Sequence, residues 1–203
     1  MSKAALMIFQ KNAIPGKVKT RLAATVGDDL ALEIYHWLVA YTHQVAREIK
    51  LDKFLFYSDF IPEDSNELFP GYQFEVQCGS NLGQRMCNAF EFLFAKGYSN
   101  VVIIGTDCPD LQVSDLNKAF LALSQNDLVI GPAKDGGYYL LGKSCFCPEI
   151  FKDIPWSTSR VLELTLDRAD NANLNYEFLK ILSDVDTFED WKVFSSKNNI
   201  THE

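Results

Sequence analysis

The chain has 203 residues, of which 47% are hydrophobic and 13% are aromatic. Such a composition supplies a sizeable apolar core, so we expect one globular domain over residues 1–203 rather than disorder. The formal net charge of −8 argues against binding of nucleic acid or of an anionic membrane, which would need a basic face. No apolar stretch reaches the length of a membrane span, and five cysteines without an export signal favour reduced thiols in a cytoplasmic protein.

Strands and helices are predicted to alternate along the chain. Strands are expected near residues 4–9, 53–58, 74–76, 101–104, 128–130, 138–141 and 178. Helices are expected near residues 19–49, 82–94, 114–124 and 158–169, and from residue 187 onward. Such alternation favours a mostly parallel sheet with helices on both faces, in which ligands bind beyond the carboxyl ends of the strands.

A basic loop follows the first predicted strand. Four positive charges lie within eleven positions, at Lys11, Lys17, Lys19 and Arg21. Gly16 allows the backbone to approach a ligand closely, and cations beside the start of a helix favour a pyrophosphate. The loop matches neither a Walker loop nor the GxGxxG dinucleotide fingerprint. From charge alone, a solvated loop without a ligand is the alternative.

Three aspartates follow predicted strands and could carry chemistry. Asp107 ends the most apolar strand, where a buried acid is costly unless it binds something, and Mg²⁺ needs only one or two carboxylates beside phosphate oxygens and water. Asp135 lies between two predicted strands and could act as a metal, acceptor or base residue. Asp186 precedes a capping box of Thr187 and Asp190 and could reach a metal. The alternatives are a cap for Asp107, a tight turn for Asp135 and a cap for Asp186.

Two further segments offer binding groups, and one pair of cysteines does not. Arg85 could approach a phosphate at the start of a predicted helix. Trp156, followed by two hydroxyl residues, offers an aromatic face for a sugar or a base. Cys145 and Cys147 form a CxC pair without a second Cys or His cluster, which favours a structural role.

Six segments in this order carry a family resemblance: Lys11 with Pro15–Leu22, Leu82–Gly83 with Arg85–Met86, Gly105–Pro109, Gly131–Pro132 with Asp135–Tyr139, Ile154–Thr158, and Asp184–Thr187 with Glu189–Asp190. Together they resemble the nucleotide-diphospho-sugar transferase superfamily with the GT-A fold. The most similar branch is the small bacterial group named as glycosyltransferases of arsenosugar biosynthesis, or radical-SAM/selenodomain-associated transferases. Molybdenum-cofactor guanylyltransferase and phospholactate guanylyltransferase are more distant. The chain departs from the pattern at Asn12–Ala13, Asn81, Gln84 and Phe188–Trp191.

The resemblance implies a GT-A-like, three-layer α/β/α domain with a mixed, mostly parallel central sheet. It also implies a metal-dependent glycosyltransferase with a nucleotide-diphospho-sugar donor and a small-molecule acceptor. The implied nucleotide-binding residues are Lys11, Gly16, Lys17, Lys19, Thr20, Arg21 and Arg85. The implied substrate-binding residues are Gly136, Gly137, Tyr138, Trp156, Ser157 and Thr158.

The resemblance further implies that Asp107 and Asp186 hold Mg²⁺ or Mn²⁺ on the diphosphate. Lys19 and Arg21 would offset charge on the leaving nucleoside diphosphate, and Asp135 would be the base. One alternative on the same scaffold is a guanylyltransferase-like nucleotidyltransferase that releases pyrophosphate from an NTP. Another is a non-catalytic nucleotide-binding protein, against which the retained Asp107, Lys19 and Arg21 argue.

Overall fold

The structure is a computed structural model that describes residues 3–198. The strands in this range are β1 (Ala4–Gln10), β2 (Asp52–Tyr57), β3 (Tyr72–Val76), β4 (Asn100–Ile104), β5 (Leu128–Pro132), β6 (Tyr138–Lys143) and β7 (Tyr176–Phe178). The helices are α1 (Thr20–Val26), α2 (Asp28–Arg47), α3 (Ser65–Leu68), α4 (Leu82–Ala95), α5 (Val113–Ala122), α6 (Val161–Asn171) and α7 (Phe188–Asn198). A short 3-10 helix covers Pro148–Phe151. Every predicted strand has a counterpart among these elements.

The strands form one sheet in the order β3-β2-β1-β4-β6-β5-β7, in which β6 alone among the described strands runs antiparallel to its neighbours. Alternate residues of β1 enter two different apolar cores, since Leu6 and Ile8 face α2 and α5 while Ala5 and Met7 face α4 and α6. A third cluster joins α1, α2 and α7 around the fully buried Trp191. The predicted fold class, a mostly parallel sheet between two helical layers, is confirmed.

The helix predicted over residues 19–49 is in fact two helices. Gly27 separates α1 from α2 with a φ of 84°, a backbone conformation that favours glycine. Its N–H donates to the carbonyl of Ala23 and so closes the last turn of α1. Asp28 and Asp29 then occupy the first turn of α2, where acidic side chains interact favourably with the helix dipole.

The strand order reverses between β1 and β4. Strands β2 and β3 lie on one side of β1, whereas β4, β6, β5 and β7 lie on the other. The loops that leave the carboxyl ends of β1 and β4 therefore diverge and leave a crevice, as expected at a topological switch point. The loops after β5 and β7 open at the same edge. Within residues 3–198, no helix is both long and apolar enough to cross a membrane.

Candidate functional site

A cavity of about 690 Å³ lies at this edge, where the loops after β1 and β4 diverge. Residues from each of the polar segments described above meet in it. The predicted site residues that line it are Lys11, Lys19, Thr20, Arg21, Asp107, Asp135, Gly137, Tyr138, Trp156, Ser157, Thr158 and Asp186. The cavity therefore unites residues that are far apart in the sequence.

Lys19 joins three segments of the chain at the centre of this cavity. Its Nζ lies 2.5 Å from Asp107 Oδ1 and 3.8 Å from Asp186 Oδ1, and it donates a hydrogen bond to the carbonyl of Val185 at 2.6 Å. The Val185 N–H in turn donates to the carbonyl of Asp107 at 2.9 Å. Lys19 itself has a φ of 48°, which is uncommon for a residue other than glycine and is typical of strained backbone at functional sites.

Asp186 is free to face the cavity because another carboxylate caps α7. Asp190 Oδ2 accepts hydrogen bonds from the N–H and hydroxyl of Thr187 at 2.8 and 2.7 Å, and the Asp190 N–H donates to Thr187 Oγ1 at 3.3 Å. The Asp186 carboxylate instead lies 3.8 Å from the Arg21 guanidinium. Since the Arg21 side chain is 74% exposed, this second ion pair is weak compared with that of Lys19.

No role was predicted for Asp184, yet its carboxyl also lines the cavity. Burial, together with the nearby Asp107 and Asp135, raises its pKa to about 7, while Lys19 opposes the shift. The carboxylates around Asp184 therefore carry more negative charge than Lys19 neutralises. In the sequence Asp184-Val185-Asp186, one acid stands on each side of an apolar residue. This spacing could have pointed to Asp184 as a second candidate.

Residues of the loop between β6 and α6 form another side of the cavity. Ser157 has a φ of 65°, and the hydroxyl of Thr158 donates to the carbonyl of Pro155 at 2.7 Å.

The turn between β5 and β6 contributes Asp135 to the cavity. Its Oδ1 accepts a hydrogen bond from the Gly137 N–H at 2.8 Å, which is the tight turn considered as its alternative role. The Tyr138 ring reaches the cavity while its hydroxyl is buried, and burial raises its pKa.

Four predicted site residues lie outside the cavity lining, and local packing explains each position. Gly16 adopts a φ of 72° in a turn beside the Asp28 carboxylate, and Lys17 is exposed on that turn. Arg85 donates from Nε to the carbonyl of Gly79 at 3.2 Å, so its guanidinium is tied to the loop before α4. A Cβ on Gly136 would lie 2.1 Å from the Ser159 carbonyl oxygen, so this glycine is needed for packing.

Three of the residues that depart from the family pattern, Asn12, Asn81 and Gln84, have local structural roles. The buried Asn12 holds the loop after β2: its Oδ1 accepts from the Asp59 N–H at 3.0 Å, and its Nδ2 donates to the Phe60 carbonyl at 2.8 Å. Asn81 caps α4 by accepting from the Gln84 N–H at 2.9 Å. The Gln84 side chain accepts from the Ser80 N–H at 2.9 Å. These polar residues therefore stabilise the elements that border the cavity.

The carboxylate oxygens of Asp107 and Asp186 suit a divalent cation whose other ligands are diphosphate oxygens and water. Asp107 and Asp186 are 44% and 45% exposed, and both lie beside the same ammonium group. In residues 3–198, no three or more His, Cys, Asp and Glu side chains are grouped to hold a metal by themselves. Mg²⁺ needs only one or two carboxylates where phosphate oxygens and water complete its shell. The partly neutralised charge around Asp184 is a further reason why a cation fits this place.

Comparison with known proteins identifies the family. Residues 40–158 match the family described as "Uncharacterized protein conserved in bacteria (DUF2064)". The chain belongs to the DUF2064 family. A solved structure from Desulfovibrio desulfuricans G20, provisionally named nucleotide-diphospho-sugar transferase, is 35% identical to this DUF2064 protein, with a TM-score of 0.91 over 98% of this chain and 88% of that one. No curated protein sequence matches the chain.

More distant solved structures share the fold of this DUF2064 chain. CMP:2-keto-3-deoxy-manno-octonic acid synthetase complexed with CTP is 12% identical, with a TM-score of 0.61 over 98% of this chain and 99% of that one. The 4-diphosphocytidyl-2C-methyl-D-erythritol synthase from Anaerococcus prevotii DSM 20548 is 8% identical, with a TM-score of 0.61 over 98% and 96%. These two structures show the shared fold, and the name of the relative that is 35% identical agrees with the predicted enzyme class, a glycosyltransferase or nucleotidyltransferase.

Proposed function

We propose that this DUF2064 protein is a metal-dependent glycosyltransferase that takes a nucleotide-diphospho-sugar donor and a small-molecule acceptor. The contact of Lys19 with Asp107 and Asp186, in a cavity at the switch point of the sheet, carries the proposal. The name of the relative that is 35% identical supports it. The narrower relationship to the branch named for arsenosugar biosynthesis belongs to the same proposal and rests on the six sequence segments.

Lys19 is the central residue of the proposed mechanism. Its ammonium group is held by Asp107, Asp186 and the Val185 carbonyl, so it needs little reorganisation to meet charge that develops on a leaving diphosphate. Arg21, Thr20 and Lys11 line the same side of the cavity and would bind the remaining phosphate and nucleoside groups. These side chains would therefore favour departure of the nucleoside diphosphate.

Asp107 and Asp186 would hold Mg²⁺ or Mn²⁺, and the bound ion would neutralise part of the diphosphate charge. On the acceptor side, Asp135 would take the proton from the attacking hydroxyl. Its carboxylate is oriented by the Gly137 N–H, and the residue lines the cavity.

Nucleotidyl transfer is the second candidate, since the related fold binds CTP in CMP:2-keto-3-deoxy-manno-octonic acid synthetase. The two reactions differ in their products. We expect incubation with sugar nucleotides, a panel of hydroxyl acceptors and Mg²⁺ or Mn²⁺ to release a nucleoside diphosphate. Release of pyrophosphate from an NTP would instead establish nucleotidyl transfer.

The substitution Asp107→Asn tests the site itself. We expect turnover to fall by about 100-fold or more, since the variant removes charge both from the Lys19 pair and from the proposed metal site. Asp110→Asn is the matched control, because Asp110 follows in the same loop but faces Lys197 at 3.5 Å. Circular dichroism would verify that both variants fold. Undiminished turnover in Asp107→Asn would remove this residue from the mechanism.

A further inference from the structure

The cavity has two chemically different walls on opposite faces of the sheet edge. The cationic wall consists of Lys11, Lys19 and Arg21, from the segment that follows β1. The aromatic wall consists of Leu82, Met86, Tyr138 and Trp156, of which Met86, Tyr138 and Trp156 belong to the core on the α4 face. Among the described residues that line the cavity, every lysine and arginine belongs to the cationic wall.

Trp156 is held in the aromatic wall by a glycine on the neighbouring helix. A Cβ on Gly83, in the first turn of α4, would lie 2.3 Å from each of Cε2, Cζ2 and Nε1 of the indole. The glycine therefore lies against the edge of the indole formed by Nε1, Cε2 and Cζ2, and any side chain there would displace the ring. Asp153 and Ser157, with φ values of 54° and 65°, turn the backbone on either side of Trp156.

The exposed part of the indole is available to a ligand. Trp156 is partly buried, and its ring N–H makes no hydrogen bond within residues 3–198. Aromatic faces bind the apolar faces of rings, and an indole N–H can donate to a hydroxyl. Asp135 and Asp184 line the same cavity, so an anionic group at this wall would meet repulsion without a cation of the wall to offset it.

We propose that the aromatic wall binds the acceptor, that this acceptor is an uncharged molecule with a hydroxyl-bearing ring, and that Gly83 is the positioning residue for Trp156. This inference rests on the proposed glycosyl transfer, in which Asp135 takes a proton from a hydroxyl of the acceptor. It deepens that function by assigning the donor phosphates to the cationic wall and a neutral ring to the aromatic wall.

The test is saturation-transfer NMR on the full chain with the methyl glycosides of glucose, galactose and mannose, and with glucose 6-phosphate as the anionic counterpart. We expect saturation of the ring protons of at least one methyl glycoside and a weaker signal from glucose 6-phosphate. Trp156→Ala and Gly83→Ala should weaken glycoside binding by about three- to tenfold, the range expected for loss of an aromatic contact. Trp156→Phe retains a ring and should preserve most of the signal. Glu91→Ala, an exposed position on the same helix, should preserve all of it.

Nucleotide binding is measured on the same samples by thermal shift with nucleoside diphosphates, because it reports on the cationic wall and hence on the proposed function. It should be unchanged in Gly83→Ala and Trp156→Ala, which also shows that these variants fold. No saturation with any methyl glycoside, an equal signal from glucose 6-phosphate, or an undiminished signal in Trp156→Ala would each overturn the inference. If the wild type binds no nucleoside diphosphate, that result would count against the proposed function instead.

Discussion

Two buried lysines lie at opposite edges of the sheet, one beside carboxylates and the other among aromatic rings. Lys19, at the carboxyl edge, faces two carboxylates in the cavity. Lys143 ends the antiparallel β6 beside Val101, at the start of β4, and is fully buried. Its Nζ donates to the Cys147 carbonyl at 2.7 Å and lies within 5.5 Å of the centres of three aromatic rings, those of Phe90, Phe146 and Phe151.

The comparison sets a buried lysine that lines the candidate site against one that packs among aromatic rings. Burial lowers the pKa of Lys143 to about 8, and the nearby Cys147 and Cys145 oppose the shift. Within the described residues, no carboxylate forms an ion pair with Lys143, and Lys143 does not line the cavity that contains Lys19. The three predictions that follow test this contrast, from the largest expected effect to the smallest.

Replacement of the cavity lysine should have the largest effect. We expect Lys19→Met to lower turnover of a sugar nucleotide by about 100- to 1000-fold, because it removes a preorganised cation from the proposed position of the leaving diphosphate. Lys17→Met is the matched control, since Lys17 lies two positions away on an exposed turn outside the cavity lining. Steady-state kinetics on both variants decide the point. Equal losses would mean that the loop acts through its overall charge rather than through Lys19.

Replacement of Lys143 should raise the stability of the protein. We expect Lys143→Met to raise the free energy of unfolding at pH 7 by about 1–2 kcal/mol, because an apolar side chain of similar length avoids the cost of burying an ammonium group. Turnover should stay at the wild-type level. Urea unfolding measures the change, and a destabilised variant would mean that the rings and the carbonyl more than offset the cost of burial.

The stability gain of Lys143→Met should shrink as the pH rises from about 8 to about 10. The unfolded lysine keeps its proton up to the ordinary pKa of 10.5, whereas the folded lysine loses it near 8. Unfolding therefore takes up a proton in this window, and the wild type gains stability with pH, by at most about 1.4 kcal/mol per pH unit. Parallel urea titrations of the wild type and Lys143→Met at several pH values measure this difference. A constant difference would exclude a lowered pKa.

The sequence was sufficient to predict the sheet and much of the cavity lining, because the carboxyl ends of parallel strands meet at one edge. That rule favoured one shared edge for the polar segments, and the family resemblance assigned Lys19, Asp107 and Asp186 to one site. Lys17 and Arg85 could not be separated from Lys19, since charge and spacing do not reveal whether a side chain turns to solvent or to a neighbouring carbonyl.

Sequence patterns also could not predict the burial of residues that pack against segments far away in the chain. Lys143 looks like an ordinary polar end of a strand, and only the packing of three rings around it reveals a buried charge. In the same way, the raised pKa of Asp184 depends on its burial and on Asp107 and Asp135, which lie far from it in the sequence. Gly136 was predicted to contact substrate, whereas the Ser159 carbonyl already fills the space beside it.

The hydrogen bond from the Val185 N–H to the Asp107 carbonyl has a consequence for biosynthesis. The ammonium of Lys19 acquires its full set of partners only when the segment just before α7 has docked onto a loop made much earlier. A chain emerging from the ribosome can pair all of its strands and still lack this assembly. Under the proposed mechanism, the protein therefore becomes active only after the segment before α7 has been synthesised and has docked.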